Sequence, residues 1–350
     1  MNIMTYYKVR ILTDDFHTFY PYKKEYNEFL KRGIKLFFGD TPDYDLTLIG
    51  HSLFQDKKLG SFEASLEKGL NFLKNIKGPY ILVDGQDSHS LIGSYETFIN
   101  SNALVLLKHS LLKNKELYKE SWVGGRFYWG KSEDYGIPNQ NYKPIDFDKY
   151  SDKILLSGTN WIGVPDVQWY DYEGADKLFD VSGMFQFPHP ECHEFNLKPS
   201  QDFYYNEHRK PVLDILNNSP FMVSKLYKGR RVPTETYYKY IACCKVLLAP
   251  FGYGEMAPRD LESAQLGSLL IKPNMDHVET YPNIYIKDKT YISCKHDYSD
   301  LEEKIEYAVE NFEEIQDQYV NTLRQEYTTQ YYPGYLTEYT INLFKNLNLL

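Results

Sequence analysis

Short apolar runs alternate with amphipathic stretches along the first half of the chain. In the helix-like stretch Lys23–Arg32, for example, Tyr26, Phe29 and Leu30 fall on one face. Because strands that alternate with helices form parallel β-α-β units, the pattern predicts a doubly wound α/β domain. Its predicted strands are Lys8–Thr13, Ile34–Gly39, Leu46–Gly50, Tyr80–Asp84 and Ala103–Lys108.

The same alternation returns after an irregular stretch from Gly124 to Ala175, which is rich in Gly, Pro, Asn and aromatic residues. The predicted strands there are Val181–Phe187, Phe221–Leu226, Val246–Ala249, Ser268–Lys272 and Ile284–Ile286, and the predicted helices are Asn206–Asn217, Thr234–Cys243 and Pro258–Leu266. We therefore predict two Rossmann-type doubly wound domains facing a cleft, over residues 1–175 and 176–325. A helical tail over residues 326–350 is predicted to return to the first domain.

The amino-acid composition indicates which classes of binding partner and which cellular compartment to expect. The 350 residues carry a net charge of -9, and this acidic balance disfavours nucleic acid as the main partner. Four cysteines form no C-x-x-C pair, so we expect free thiols in a reducing compartment. The chain starts without a signal-peptide pattern and holds no apolar run of membrane-spanning length, so we expect a cytoplasmic protein. The basic stretch Lys23–Lys35 leaves a peripheral membrane contact open.

The segment Lys245–Pro273 has the pattern most typical of a binding site, because an apolar strand, a glycine-containing loop and a helix that opens at Pro258 follow one another. The loop contains Gly252, Gly254 and Glu255. No Ser, Thr, Asp or Asn stands at position 257 to cap the helix, so its first N–H groups are predicted to be free for an anion. A tight surface turn would show the same pattern.

Charged side chains flank this loop. Arg259 and Glu262 are three residues apart and share a helix face. A cation in the first turn opposes the helix dipole, which a bound diphosphate would explain, and a carboxylate can accept hydrogen bonds from two vicinal hydroxyls of a ribose. Upstream, Lys225 and Arg230 belong to a basic cluster at a strand end, where doubly wound domains bind ligands. A solvated loop is the alternative for that cluster.

Two runs, GRRVPTETYYKYIACCKVLLAPFGYGEMAPRDLESAQLGSLLIKP and NMDHVETYP, resemble a known family. From Phe179 to Ile286 the chain is similar to the donor-binding, C-terminal domain of GT-B-fold glycosyltransferases of the bacterial and viral "glycosyl transferases group 1" type, with weaker similarity to exostosins. The resemblance implies a GT-B-like fold. It also implies that Glu262 binds the ribose, that Glu255 faces the donor sugar, and that Arg230 or Lys225 holds the diphosphate. The same motif points to His277 and Lys272 as further donor-site residues.

The resemblance leaves the stereochemistry open, because six residues separate Glu255 from Glu262, one fewer than retaining members commonly have. An inverting transfer needs a base for the acceptor proton, which we expect in the first, acceptor-binding domain. The candidates follow the first and the fourth predicted strand: Asp15, His17, Asp87 and His89. Asp15 and His17 rank first, because the first strand of a doubly wound domain usually ends beside the ligand crevice.

We predict a glycosyltransferase of polysaccharide biosynthesis that moves a sugar from a nucleotide-diphosphate sugar to a glycan or lipid-linked acceptor. No metal and no cofactor are expected. The D-x-D triplets at residues 43–45 and 146–148 arise easily in an acidic chain, and His189, Cys192 and His193 lack a second ligand pair at zinc spacing. A sugar-nucleotide epimerase of similar fold and a non-catalytic sugar-binding protein are the alternatives.

Overall fold

The contacts within the chain divide it into two units. The computed structural model describes residues 6–54, 61–135, 144–159, 176–182, 199–224 and 233–350, with the backbone alone at residues 16 and 199–208. Unit 1 comprises residues 1–166, 278–282 and 330–350, and unit 2 comprises residues 167–277 and 283–329. The predicted boundary after residue 175 falls next to residues outside the described ones, and residues 330–350 of the predicted tail belong to unit 1. The pattern also missed that segment 278–282 is part of unit 1.

Unit 1 is built on a parallel sheet. Its strands, numbered together with those of unit 2 in chain order, are β1 (Tyr7–Leu12), β2 (Ile34–Phe38), β3 (Leu46–Gly50), β4 (Tyr80–Asp84), β5 (Leu106–Lys108), β6 (Ser110–Leu112), β7 (Ile154–Leu156) and β11 (Val278–Thr280). Six of them form one sheet in the order β2-β1-β3-β4-β5-β7, all parallel, while β6 and β11 pair antiparallel. The order reverses between β1 and β3, and doubly wound sheets bind ligands outside the carboxyl ends of the strands at such a point.

The helices of unit 1 are α1 (Phe16–Lys24), α2 (Tyr26–Lys31), α3 (Phe62–Leu73), α4 (Ser94–Ile99) and α10 (Tyr335–Asn346). The helix predicted over Lys23–Arg32 is thus two helices, divided at Glu25. The buried carboxylate of Glu25 accepts hydrogen bonds from the backbone N–H groups of Gly334, Leu336 and Thr337 and from the Thr337 hydroxyl. Because α10 has no side-chain cap of its own, Glu25 supplies one and attaches the C-terminal tail to unit 1.

Unit 2 has a second parallel sheet. Its strands are β8 (Phe179–Ser182), β9 (Cys244–Leu248), β10 (Leu269–Pro273) and β12 (Ile292–Cys294), in the order β12-β10-β9-β8. Its helices are α5 (Pro199–Asn218), α6 (Thr234–Ala242), α7 (Arg259–Gln265), α8 (Leu301–Glu310) and α9 (Phe312–Gln330). Strand residues such as Val246 and Ile271 pack against Leu301 and Ile305 of α8 in one apolar core. The predicted α/β class, with two parallel sheets of Rossmann type, is confirmed.

The strand predicted at Ile284–Ile286 is wrong, because the strand in this region is β12. The side chain of Thr290 bonds the backbone at both ends of that tripeptide: its hydroxyl donates to the Ile284 carbonyl and accepts from the Ile286 N–H. A turn occupies the Ile286 carbonyl as well. These groups are engaged locally and are therefore not available to a neighbouring strand.

Two other strand predictions are only partly described by the structure. Of Phe221–Leu226, Val223 forms an isolated bridge with Val181, and residues 225 and 226 lie outside the described residues. Of Val181–Phe187, β8 covers the first two residues and the rest lie outside them as well. Among the helices that the structure describes, none combines the length and apolar character needed to cross a bilayer.

Candidate functional site

Polar side chains of unit 2 collect in the loops at the carboxyl ends of its strands. The loop after β9 carries Glu255, the loop after β10 carries His277, and the loop after β12 carries His296. Glu255 is 2% exposed, and His277 keeps 10% of its side chain exposed. Since parallel strands present all their carboxyl ends at one edge, three loops that are distant in sequence meet at one edge of this sheet.

The glycine-containing loop after β9 is held in place at Phe251. The Phe251 carbonyl accepts a hydrogen bond from Nε of Arg209 at 3.1 Å, and its N–H donates to the Tyr298 hydroxyl at 3.2 Å. Arg209, on α5, is buried although it is an arginine. Within the loop, the Gly252 N–H donates to the Gly254 carbonyl at 3.2 Å. The loop that carries Glu255 is therefore held by Arg209 of α5 and by Tyr298, which precedes α8.

Lys272 lies behind this loop, in the interior of unit 2. Its Nζ donates to Asp260 Oδ2 at 2.6 Å and to the Glu255 carbonyl at 2.9 Å. Asp260 Oδ2 also accepts from the Tyr285 hydroxyl at 2.7 Å and from the Ala257 N–H at 3.0 Å. Burial lowers the pKa of Lys272, and the Asp260 carboxylate opposes that shift. The lysine that the motif placed near the donor thus ties the loop to α7.

The start of α7 differs from its prediction. The N–H groups of Asp260 and Leu261 are not free, because they donate to the carbonyls of Ala257 and Pro258. Such tightened first turns are one of the ways in which helix starts satisfy their N–H groups. The Asp260 carboxylate also accepts the N–H of Ala257, which precedes the helix, so that group is engaged as well. An anion at this edge would therefore depend on the side chain of Arg259 more than on the helix N–H groups.

Arg259 and Glu262 lie on α7 and are both partly exposed. Oε2 of Glu262 accepts a hydrogen bond from the Tyr237 hydroxyl of α6 at 2.7 Å. Burial raises the pKa of the Glu262 carboxyl, while the Tyr237 hydrogen bond and the Arg259 charge lower it. The predicted pair of one cation and one carboxylate is thus present one helical turn apart, and Tyr237 is an additional member that the sequence pattern did not reveal.

Two histidines share one backbone acceptor at this edge. His277 Nδ1 lies 3.1 Å, and His296 Nε2 lies 2.8 Å, from the Asn274 carbonyl oxygen. Because a carbonyl only accepts, both of these ring nitrogens carry hydrogen. The rings meet edge-on with centroids 5.0 Å apart, and His277 Nε2 lies 3.8 Å from Glu255 Oε1. The geometry therefore brings the predicted residues His277 and Glu255 together. The sequence analysis did not predict His296, whose only signal in the sequence is that it is the first histidine after the last strand.

The predicted diphosphate ligands Lys225 and Arg230 lie outside the described residues, as do His189, Cys192 and His193. The carboxylates of both D-x-D triplets have local partners. Asp43 and Asp45 bind the side chain and the backbone N–H of Lys8. Asp148 lies 3.6 Å from Lys119, and Asp146 accepts the Lys149 N–H.

The four candidate bases of unit 1 have different surroundings. Asp15 is the N-cap of α1, because its carboxylate accepts from the His17 N–H at 2.9 Å and from the Thr18 hydroxyl. The His17 side chain itself is exposed, as is Asp87. His89 is fully buried against the rings of Tyr118, Phe127 and Tyr128. Of the four side chains, those of His17 and Asp87 are exposed, that of Asp15 is partly exposed and that of His89 is buried.

A buried ion pair at the ends of β4 and β5 escaped the sequence analysis. Lys108 Nζ lies 3.1 Å from Asp84 Oδ1, with both side chains fully buried, and also donates to the Gln86 carbonyl. Burial opposes ionisation of Asp84, but Lys108 and His51 outweigh it, so the pKa of Asp84 is lowered. A cavity of about 10 Å³ adjoins the pair, enough for one water molecule. Asp84 ends the run that predicted β4, but the sequence pattern did not indicate Lys108 as its partner.

Several solved structures are similar to the whole chain. They include an α-glucosyltransferase in complex with UDP and a 13-mer DNA containing an HMU base, with 12% identity, a TM-score of 0.44 and coverage of 97% of this chain and 98% of that one. A glycosyltransferase from Rickettsia africae has 10% identity, a TM-score of 0.42 and coverage of 98% of each chain. An α1,3-fucosyltransferase with GDP has 9% identity, a TM-score of 0.35 and coverage of 99% and 91%. No family model and no curated protein matches the chain.

Proposed function

We propose that this chain is a glycosyltransferase that moves a sugar from a nucleotide-diphosphate sugar to a glycan or lipid-linked acceptor. The observation that carries the proposal is that Arg259 and Glu262 lie on one face of α7. This helix directly follows the loop of Glu255 in sequence, at the carboxyl edge of the unit 2 sheet. A cation for a diphosphate and a carboxylate for a ribose then lie one turn apart, where doubly wound sheets bind nucleotides.

The reaction breaks the bond between the anomeric carbon of the donor sugar and the diphosphate oxygen, and the acceptor oxygen forms the new bond to that carbon. The acceptor hydroxyl loses its proton to a base, and the nucleoside diphosphate leaves with the electron pair of the broken bond. Arg259 would stabilise the charge that develops on the leaving diphosphate, with Lys225 and Arg230 as further cations. Glu255, held beside His277, would face the hydroxyls of the donor sugar. We propose that these side chains make a metal ion unnecessary.

For the base, the surroundings favour His17 and Asp87 over the other two candidates. Asp15 already accepts two hydrogen bonds as the cap of α1, and His89 is enclosed by aromatic rings. The side chains of His17 and Asp87 are exposed, so an acceptor hydroxyl can approach either of them from solution. We propose that one of these two residues takes the acceptor proton if the reaction inverts. A role in polysaccharide biosynthesis, on the cytoplasmic side of a membrane, fits such an acceptor.

A nucleotide screen tests the proposed function. Thermal shift with UDP, GDP, CMP, TDP and their sugars should identify a ligand that stabilises the protein, by roughly 2.7 kcal/mol at a hundredfold excess over Kd. Glu262→Gln should then lower the affinity for that ligand at least tenfold in isothermal titration. Glu306→Gln makes the same exchange on the exposed face of α8 and should leave the affinity unchanged. Stabilisation by none of these ligands would refute the proposal, and binding without sugar transfer would favour a non-catalytic protein.

A further inference from the structure

Tyr237 contacts Glu262, the side chain that binds the ribose in the proposed function. The phenol donates to Glu262 Oε2 at 2.7 Å, although 25 residues separate the two in sequence. The helices that carry them are joined by an apolar cluster in which Ile241 and Ala242 of α6 meet Leu266, which follows α7. The spacing of α6 and α7 is therefore set by apolar packing, and the hydrogen bond between Tyr237 and Glu262 is made within that frame.

The direction of this hydrogen bond is determined by the chemistry of its two groups. A carboxylate can only accept, so the phenol must donate. Burial raises the pKa of the Tyr237 phenol, the neighbouring Glu262 carboxylate raises it as well, and the Arg259 charge opposes both. Tyr237 therefore stays protonated and keeps donating over the whole range of physiological pH.

The bond also restricts how the carboxylate is turned. The terminal torsion of a glutamate has a broad distribution, so an unrestrained Glu262 would sample many orientations of its two oxygens. Holding Oε2 against Tyr237 reduces this freedom before any ligand arrives. Groups that are positioned in advance lose less conformational entropy on binding, and a ligand gains affinity from that.

We propose that Tyr237 is the positioning residue of a ribose site: it holds the Glu262 carboxylate so that this group accepts hydrogen bonds from the ribose hydroxyls, and the site thereby selects ribonucleoside over 2′-deoxyribonucleoside diphosphates. The proposal rests on the proposed function, since it takes Glu262 as the ribose carboxylate. Loss of the 2′-hydroxyl leaves a partly buried carboxylate with an unmet hydrogen bond, which disfavours a ligand that lacks this hydroxyl.

Isothermal titration with UDP, 2′-deoxy-UDP, GDP and 2′-deoxy-GDP tests the proposal. The wild-type protein should bind the preferred ribonucleotide about tenfold more tightly than its deoxy counterpart, as expected for one hydrogen bond to a charged group. Tyr237→Phe keeps the ring and its packing but removes the donor, so the preference should fall to about threefold or less, mainly through weaker binding of the ribonucleotide. Tyr238→Phe, on the neighbouring ring 5.7 Å away, should keep the full preference.

The outcomes distinguish a failure of the positioning role of Tyr237 from a failure of the proposed function. If Tyr237→Phe retains the wild-type preference while Glu262→Gln removes it, Tyr237 has no positioning role and the proposed function stands. Equal loss of affinity for ribo- and deoxyribonucleotide in Tyr237→Phe would show a merely structural role and overturn the proposal as well. If the wild-type protein binds none of the ligands of the nucleotide screen, the proposed function fails, and the positioning role of Tyr237 fails with it. Binding of TDP in preference to UDP and GDP would overturn the ribose preference and leave the proposed function standing.

Discussion

Replacing Lys272 by methionine removes the positive half of an ion pair inside unit 2. The Lys272 and Asp260 side chains are 0% and 1% exposed, and their charged atoms lie 2.6 Å apart. Methionine fills nearly the same unbranched volume, so the change removes charge and hydrogen bonds without leaving a large cavity. What remains is the carboxylate of Asp260 in a low-dielectric interior.

The expected loss of unfolding free energy depends on the hydrogen bonds that Asp260 retains. Removing one partner of a buried ion pair costs about 3–5 kcal/mol, because the other charge is left uncompensated. Asp260 still accepts from the Tyr285 hydroxyl and the Ala257 N–H, so we expect a loss near the lower end, about 3 kcal/mol in the free energy of unfolding. Lys272→Met combined with Asp260→Asn should cost less than the sum of the two single changes, because the second change removes the stranded charge.

Urea unfolding followed by far-UV circular dichroism measures this loss, and hydrogen exchange in β9 and β10 assigns it to unit 2. Lys239→Met is the matched control, since Lys239 pairs with Glu235 on the surface of the same unit and both side chains are largely exposed. The control should show no measurable change. Equal stability of Lys272→Met and Lys239→Met would refute the buried pair, and additive single and double variants would refute the coupling.

Three further predictions address other parts of the molecule. Burial raises the pKa of Glu25, so the folded state binds that proton more tightly than the unfolded chain, and the free energy of unfolding should fall as pH rises from the ordinary glutamate range through the raised value. Urea titrations at several pH values should show that slope in the wild type and a flatter profile in Glu25→Gln. Sugar transfer should persist in EDTA, and complete loss restored by Mn²⁺ would revive a metal role. Asp87→Ala or His17→Ala should lower kcat by roughly 10²–10⁴ in a steady-state assay if that residue is the base, whereas Asp15→Ala should mainly cost about 1 kcal/mol of stability as a lost helix cap.

The local pattern of the chain was enough to predict much of the framework. The runs that became β3 and β4 were predicted to the residue, because strands buried on both faces read as unbroken apolar stretches with clear ends. The loop with Glu255 and the helix with Arg259 and Glu262 were also found in advance. Each depends on neighbours within a few residues, where spacing along the chain decides which side chains share a face.

The pattern of residues along the chain did not predict which hydrogen-bond partners polar groups have in the folded protein. Glu25 reads as one more charged residue in the run Lys23–Arg32, yet its carboxylate is buried and caps a helix more than 300 residues later. The apolar run Ile284–Ile286 reads as a strand, yet Thr290 takes its hydrogen bonds. The partner of Glu25 lies far along the chain, whereas for Ile284–Ile286 a side chain a few residues further on outweighed the local strand propensity.

The sequence by itself determined that this protein would be built from parallel β-α-β units with a charged loop at a strand end. Only the tertiary structure decided that Lys272 turns inward to Asp260 and that Tyr237 bonds Glu262. The physical reason is that burying a charge or a phenol is favourable only if a partner stands at hydrogen-bond distance. Such partners come from other helices and strands, so packing, and not spacing along the chain, brings them together.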